Sequence, residues 1–322
     1  MKKISIVSPV YNEEAGIRFF HSALLDELNR LPEYEFEIIY VVDKCKDNSL
    51  GILSEIAEKE RNVIVIGLSR RFGHQMSLVA GLDACSGDAC IMMDCDMEHP
   101  PSFIETLLKK YEEGFDVIHT RRVYSQRVGF FKRTSSKLFY KLLNKLSTED
   151  LGQDSADFRL VSRKVIDVFN QKVREHNQYL RGLFRWVGFK QTEMEFQAGE
   201  RMAGASNYRM KTLMSLATDG IVSFSKIPLR ISIVLGVICA TIGLVYGIYS
   251  VVSYFIDPTL PAGWTSTIIF LLLIGGILLL VLGIIGVYIG AIFDEVKNRP
   301  LYIVEVVYGV AKQQEKKECT HL

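Results

Sequence analysis

From Ile231 to Ile256 the chain carries no Asp, Glu, Lys or Arg, and a second uncharged run extends from Thr265 to Phe293. A helix over the first run is roughly 39 Å long at about 1.5 Å per residue, enough to cross a bilayer hydrocarbon core with some tilt. Burying two such helices on all sides would need a much larger soluble protein than 322 residues. A soluble part followed by a membrane part is therefore expected. The connector Asp257–Trp264 contains Pro258 and Pro261, which stop helix continuation, so the runs at 231–256 and 265–293 predict a transmembrane hairpin within 231–293. Lys226 and Arg230 precede it, Lys297 and Arg299 follow it, and the connector has neither Lys nor Arg. Positive-inside bias thus puts both outer ends in the cytoplasm and the connector across the membrane.

The net charge of +1 averages two unlike halves and says little. Among the six cysteines, Cys85, Cys90 and Cys95 are spaced five apart, which fits neither a C-x-x-C clip nor a structural zinc site, so reduced thiols are expected. The opening MKKISIVSPV has too short an apolar run for a signal peptide, which also predicts a cytoplasmic soluble domain.

Along that domain, Ile4–Val10 reads as a strand, and Ile17, Phe20, Leu24, Leu25 and Leu28 recur at helical spacing. Phe36–Val42 and Val63–Leu68 read as strands, and Leu50–Arg61 and Gln75–Ala84 as helices. The alternation predicts a mostly parallel sheet flanked by helices. Ala89–Met93 reads as a buried strand running into Asp94-Cys95-Asp96, and ligands in such sheets bind beyond the carboxyl ends of strands. No G-x-G-x-x-G follows the first strand and no G-K-[ST] loop occurs, which argues against dinucleotide-binding and P-loop enzymes. Acidic residues stand there instead: Asp43 ends the second strand, and Asp94, Asp96 and Glu98 alternate after the fourth. On an extended segment that spacing points the three side chains the same way. Hard oxygen ligands of this kind suit Mg²⁺ or Mn²⁺ together with substrate phosphates. Spacing alone equally allows a solvated acidic turn before Pro100-Pro101.

Between Val117 and Thr148 there are eight basic residues and no Asp or Glu: Arg121, Arg122, Arg127, Lys132, Arg133, Lys137, Lys141 and Lys145. Arg133, Lys137, Lys141 and Lys145 recur every fourth residue beside Leu138, Leu142 and Leu146, the pattern of a basic amphipathic helix lying in a membrane interface. An ordinary solvated helix face would look similar, and the membrane anchor argues against nucleic acid as the partner. Leu213, Met214, Leu216, Ala217, Gly220, Ile221 and Phe224 predict a juxtamembrane helix over 211–230.

Several segments together resemble one family, the inverting glycosyltransferases of the GT-A fold, in the polyprenyl-phosphate branch that includes dolichyl-phosphate mannose synthase and bactoprenol glucosyltransferases. Ser8–Glu14 resembles its P-V-Y-N-E-E opening, Ser69–Gln75 its S-R-N-F-G-[HK] stretch, and Asp94–Pro101 its D-A-D-L-Q-D-P-P segment. Asp157–Leu160 resembles D-F-R-L, Glu200–Tyr208 resembles E-R-x-x-G-x-S-x-Y, and the likeness continues through Asp294–Pro300. Val42–Cys45 departs from the family's D-D-G-S, and Glu98-His99 replaces Gln-Asp.

The resemblance implies a nucleotide-sugar-binding GT-A domain over 1–210 and, after the helices, a cytoplasmic tail over 294–322. It implies that Pro9, Tyr11, Glu13, Asp43 and Asp94 bind the nucleotide sugar and that Asp94, Asp96 and Glu98 hold Mg²⁺ or Mn²⁺. Asp157 and Asp96 would be catalytic, while Arg122, Arg133, Arg159, Arg201 and Ser206 would bind the acceptor phosphate. The implied activity is transfer of a hexose, from UDP-glucose or a similar donor, to undecaprenyl phosphate at the cytoplasmic face of a bacterial inner membrane. A homo-oligomer is compatible with it. Two alternatives stand beside this reading. A processive polysaccharide synthase shares the core, but Gly182-Leu183-Phe184-Arg185-Trp186 lacks the Gln of Q-x-x-R-W; a non-catalytic lipid-sugar scaffold would not need Asp94, Asp96, Asp157 and Arg159.

Overall fold

The computed structural model describes residues 1–123, 155–176, 178–199, 227–256 and 264–309. The expected basic amphipathic helix, most of the juxtamembrane helix, and the assignments to Arg133, Arg201 and Ser206 lie outside these residues.

Apolar runs form the strands β1 (Lys2–Val10), β2 (Tyr34–Val42), β3 (Val63–Leu68) and β4 (Ala89–Met92), each buried over most of its length. Helices α1 (Ile17–Leu28), α2 (Ser49–Lys59) and α3 (His74–Ala84) connect them. In α1 the predicted face is the buried one: Ile17, Phe20, Leu24 and Leu28 enter the core. The four strands pair in parallel in the order β3-β2-β1-β4. Pro9 and Val41 are opposite each other in register, so the carboxyl ends of β1 and β2 lie side by side.

After α4 (Ile104–Glu112) come β5 (Val117–Val123) and β6 (Ser155–Ser162). Helices α5 (Arg163–Lys172) and α6 (Leu180–Trp186) follow, then β7 (Gln191–Gln197). The complete sheet has eight strands in the order β7-β5-β6-β4-β1-β2-β3-β8, where β8 is Val304–Gly309. Because β6 runs antiparallel to both β4 and β5, the sheet is mixed rather than simply parallel. Two apolar clusters lie on its two faces, one around Ile4, Phe20, Tyr40 and Phe158, the other around Val7, Val41, Leu183 and Phe184.

Helix α7 (Ile227–Ile256) starts four residues before the expected span, and α8 (Trp264–Lys297) carries on through Asp294 to Lys297. Both are long and apolar enough to cross a membrane. Their large side chains are largely exposed, Ile233 at 66%, Leu271 at 70% and Leu279 at 71%, whereas a helix inside a soluble core would bury them.

Residues beyond the hairpin depart from the expected tail. Val304–Gly309 returns to the soluble domain as β8 and pairs antiparallel with β3, Val65 opposite Tyr308. Gly67 accommodates this closure, since a Cβ there would stand 2.7 Å from Val306 Cγ1. The run Val304-Glu305-Val306-Val307 holds one charge, and its β-branched residues suit a sheet edge once a partner is within reach. The nucleotide-binding fold thus takes strands from both sides of the hairpin.

Candidate active site

The carboxyl ends of β1, β2 and β4 bring together loops that the sequence separates widely. After β1, Asn12 takes a left-handed φ of 57°, and after β4 Met97 takes one of 68°. Such backbone costs on the order of 1–3 kcal/mol for a non-glycine residue, and both positions sit beside acidic residues of interest. The turn at Met97 changes the expected arrangement of Asp94, Asp96 and Glu98. The segment is not extended, and the three side chains take different partners. Asp94 Oδ1 lies 2.7 Å from His74 Nε2, at the start of α3. Asp96 Oδ1 accepts the Glu98 N–H at 3.0 Å. Glu98 pairs with Arg122 at 2.7 Å. Among the described residues no group of three or more His, Cys, Asp or Glu side chains is arranged to hold a metal ion.

Asp157, near the start of β6, is held at both of its oxygens. Arg181 on α6 donates to both of its oxygens, Nε to Oδ1 at 3.0 Å and Nη2 to Oδ2 at 2.9 Å. Arg159 Nη2 donates to Oδ1 at 3.2 Å, and His74 Nδ1 is 3.9 Å from Oδ2. His74 therefore bridges Asp94 and Asp157. Burial favours the neutral acid of Asp157, but Arg181, His74 and Arg159 outweigh it and hold the carboxyl well below the usual range. Asp94 is likewise opposed by burial, yet His99 and His74 hold it down to about 2. For His74 burial favours the neutral ring, while Asp94 and Asp157 raise its pKa to about 9.

Four expected site residues sit differently from expectation. Asp43 is buried, and its oxygens accept the N–H groups of Phe72 at 2.8 Å and Gly73 at 2.9 Å, so it shapes the loop before α3 rather than presenting itself to a base. Arg159 is 1% exposed, lies 4.8 Å over the Phe184 ring and donates to Ala156 O, which puts it beneath Asp157 instead of facing an acceptor. Arg122 and Glu98, assigned to acceptor and metal, bind each other. Tyr11 and Pro9 do lie at the end of β1: Arg71 stacks on the Tyr11 ring at 4.2 Å, and Cys95 Sγ donates to Pro9 O at 3.4 Å. Glu13 opens the loop that meets α2, its N–H donating to Ser49 Oγ at 2.9 Å.

Two residues of this centre carry no sequence signal of their own. The tie of Arg181 to Asp157 spans 24 residues and joins a helix to a strand, so no local pattern marks it. His74 falls inside the Ser69–Gln75 segment, and nothing local connects it with Asp94, 20 residues away.

A mixed sheet with carboxylates gathered at its strand ends agrees with the GT-A glycosyltransferase fold expected from the resemblance. The chain belongs to glycosyl transferase family 2, whose profile matches residues 5–169. Its similarity extends well past that region. An uncharacterized glycosyltransferase, YkcC, of Bacillus subtilis is 40% identical over 311 residues, 96% of this chain and 95% of its own. The SfII prophage-derived bactoprenol glucosyl transferase of Shigella flexneri is 37% identical over 303 residues, 94% of this chain and 97% of its own. A prophage bactoprenol glucosyl transferase homolog of Escherichia coli is 36% identical over 306 residues, 95% and 99% of the two chains. The protein is a membrane-associated glycosyltransferase.

Proposed function

We propose that this enzyme transfers a hexose, from UDP-glucose or a similar nucleotide sugar, to undecaprenyl phosphate with inversion at the anomeric carbon. The observation that carries the proposal is the state of Asp157. A carboxylate gripped at both oxygens by Arg181 and again by Arg159 is a weak proton acceptor, so the site suits an acceptor that needs little deprotonation. A phosphate monoester is such an acceptor, being mostly dianionic at neutral pH with a second pKa of about 6. The names of the relatives support the same acceptor class.

In the reaction an acceptor phosphate oxygen attacks the anomeric carbon, the bond from that carbon to the donor diphosphate breaks, and the nucleoside diphosphate leaves. Asp157 and Asp94 fix His74 between them at the strand ends, where its ring helps to hold the two carboxylates in place. Asp94 and Asp96, carboxylates two residues apart at a strand end, would hold a divalent cation there. Glu98 would join only by leaving Arg122. When bound, Mg²⁺ or Mn²⁺ neutralises charge on the leaving diphosphate.

The cytoplasmic face of a bacterial inner membrane is the proposed location. Sequence before the hairpin and β8 after it share one sheet, which needs an even number of crossings, and the Lys/Arg asymmetry orients them. A cysteine at Thr259, in a background without native cysteines, should react with an impermeant thiol reagent added from outside. Labelling only after membrane disruption would reverse the orientation. The activity is tested by incubating purified protein with radiolabelled UDP- and GDP-sugars and undecaprenyl phosphate. Label in a lipid-soluble product supports the reading; a polymer, or no transfer from any donor, overturns it.

A further inference from the structure

Where the last turns of α8 meet the soluble domain there is a cavity of about 550 Å³ that the catalytic reading does not use. One wall is apolar and belongs to the membrane helix: Val287, Gly290 and Ala291 recur at helical spacing on one face, and a Cβ at Gly290 would meet nothing within 4 Å. The rest of the lining is rich in cations, with Arg70 and Arg71 from the loop before α3, Lys297 at the end of α8 and Arg299 just after it. Asp294 is the one carboxylate in the lining. Among the described residues none of these four cations is ion-paired with a carboxylate; three lie instead over aromatic rings, Arg70 over Phe72 at 4.4 Å, Arg71 over Tyr11 and Lys297 over Phe293 at 3.8 Å. Scattered surface cations would point into water in different directions. Here all four line one cavity beside the point where α8 leaves its uncharged run, which is where headgroups lie for a helix that spans a bilayer.

We propose that this cavity binds the phosphate headgroup of an anionic bilayer phospholipid, with an acyl chain lying along the Val287–Ala291 face of α8. A phospholipid is favoured over the glycosyl acceptor because the lining includes none of His74, Asp94, Asp157 or Arg181, so a phosphate held there is not at the reaction centre. The inference rests on α8 lying in a bilayer, as proposed above. A bound lipid would join α8 to the loop that Asp43 holds through the Phe72 and Gly73 N–H groups.

The test uses the full chain, purified in detergent and titrated with phosphatidylglycerol or phosphatidylcholine under native mass spectrometry. Phosphatidylglycerol should bind more tightly than phosphatidylcholine. The variant R70Q/K297Q/R299Q should lose that preference on the order of a hundredfold, at roughly fivefold per basic residue. The variant R70K/R299K, which keeps the charge, should retain most of it and guards against a fold that simply fails. Equal binding of the two lipids by the unsubstituted chain, or undiminished preference in the triple variant, overturns the proposal. So does a raised KM for undecaprenyl phosphate with phosphatidylglycerol binding intact, which would make the cavity the acceptor's entrance. Carbonate extraction of membranes separates the premise: a chain that washes off overturns the membrane reading too, whereas a pelleted chain without lipid preference overturns this site alone.

Discussion

Around Asp157 opposite charges are packed against one another: Arg181 and Arg159 on the carboxylate, His74 between it and Asp94, and Arg122 on Glu98. At the end of α8 the chain does the reverse and gathers Arg70, Arg71, Lys297 and Arg299 around the single carboxylate of Asp294. In the first region the protein supplies its own counter-charges, so a substitution leaves a buried ion uncompensated and disturbs fold and reaction together. In the second it leaves the counter-charge to come from outside, so a substitution should change what binds while the fold stands. Internal pairing marks machinery, and unpaired convergence marks a place for an anion.

The comparison breaks most readily at Arg181. Arg181→Ala should lower turnover on the order of a hundredfold or more, as removal of a strong electrostatic contact does. It should also destabilise the soluble domain by about 1.5–3 kcal/mol, the loss of a charged hydrogen-bonded contact, with Arg159 and His74 still on Asp157. Turnover of labelled donor and denaturant unfolding measure the two. Arg181→Lys keeps the charge without the two-point grip, and should recover more stability than activity. An Arg181→Ala protein that is both stable and active would erase the contrast.

Next in size is Asp96→Ala, with turnover expected to fall about a hundredfold, together with loss of activity on exhaustive EDTA treatment. Activity that survives chelation would sink the metal assignment. Gly199→Ala sharpens the role of the Met97 turn, because a Cβ at Gly199 would stand 2.3 Å from Met97 O. The backbone there must shift, at a cost of about 1–3 kcal/mol for overpacking, and the KM for nucleotide sugar should rise as Asp96 is displaced.

The smallest effects belong to the junction of α8. His176 is bonded to Glu295 and to the Arg299 carbonyl, in that order of importance, and both raise its pKa. Its contribution is complete below the ordinary histidine value of about 6.5 and fades as pH climbs through the raised one. Stability measured from about pH 6 to about 9 should therefore decline more in the unsubstituted chain than in His176→Gln. An identical decline in both would remove His176 from the junction. Lys44→Ala, which breaks the exposed pair with Glu305, should cost under about 1 kcal/mol.

Much of this architecture is written locally. Strand and helix periods located β1 to β4 and α1 to α3 within two residues, because each element buries its own apolar stripe. Asp94 and Asp96 were legible as residues beyond a strand end, and Asp157 through its likeness to a family segment. What local pattern could not supply was pairing across distance. The expectation of three parallel carboxylates failed because Met97 turns the backbone and sends Glu98 to Arg122. Arg159, which the resemblance implies binds the acceptor phosphate, lies under Asp157 against Phe184 once β6 is placed between β4 and β5. The segment after α8 read as a tail because its apolar residues have no visible partner until β3 is seen with a free edge.

That last strand bears on how the protein is made. Synthesis runs from the amino end, and β3 emerges from the ribosome long before Val304–Gly309 does. Throughout the making of α7 and α8 one flank of β3 has unpaired amides and carbonyls, the kind of edge that recruits stray strands and promotes aggregation. The sheet is finished only after both apolar helices have been translated. A message that ends before Val304 would leave the sheet with that edge open. Closure by β8 therefore makes completion of the catalytic sheet wait on synthesis of the whole chain through both apolar helices.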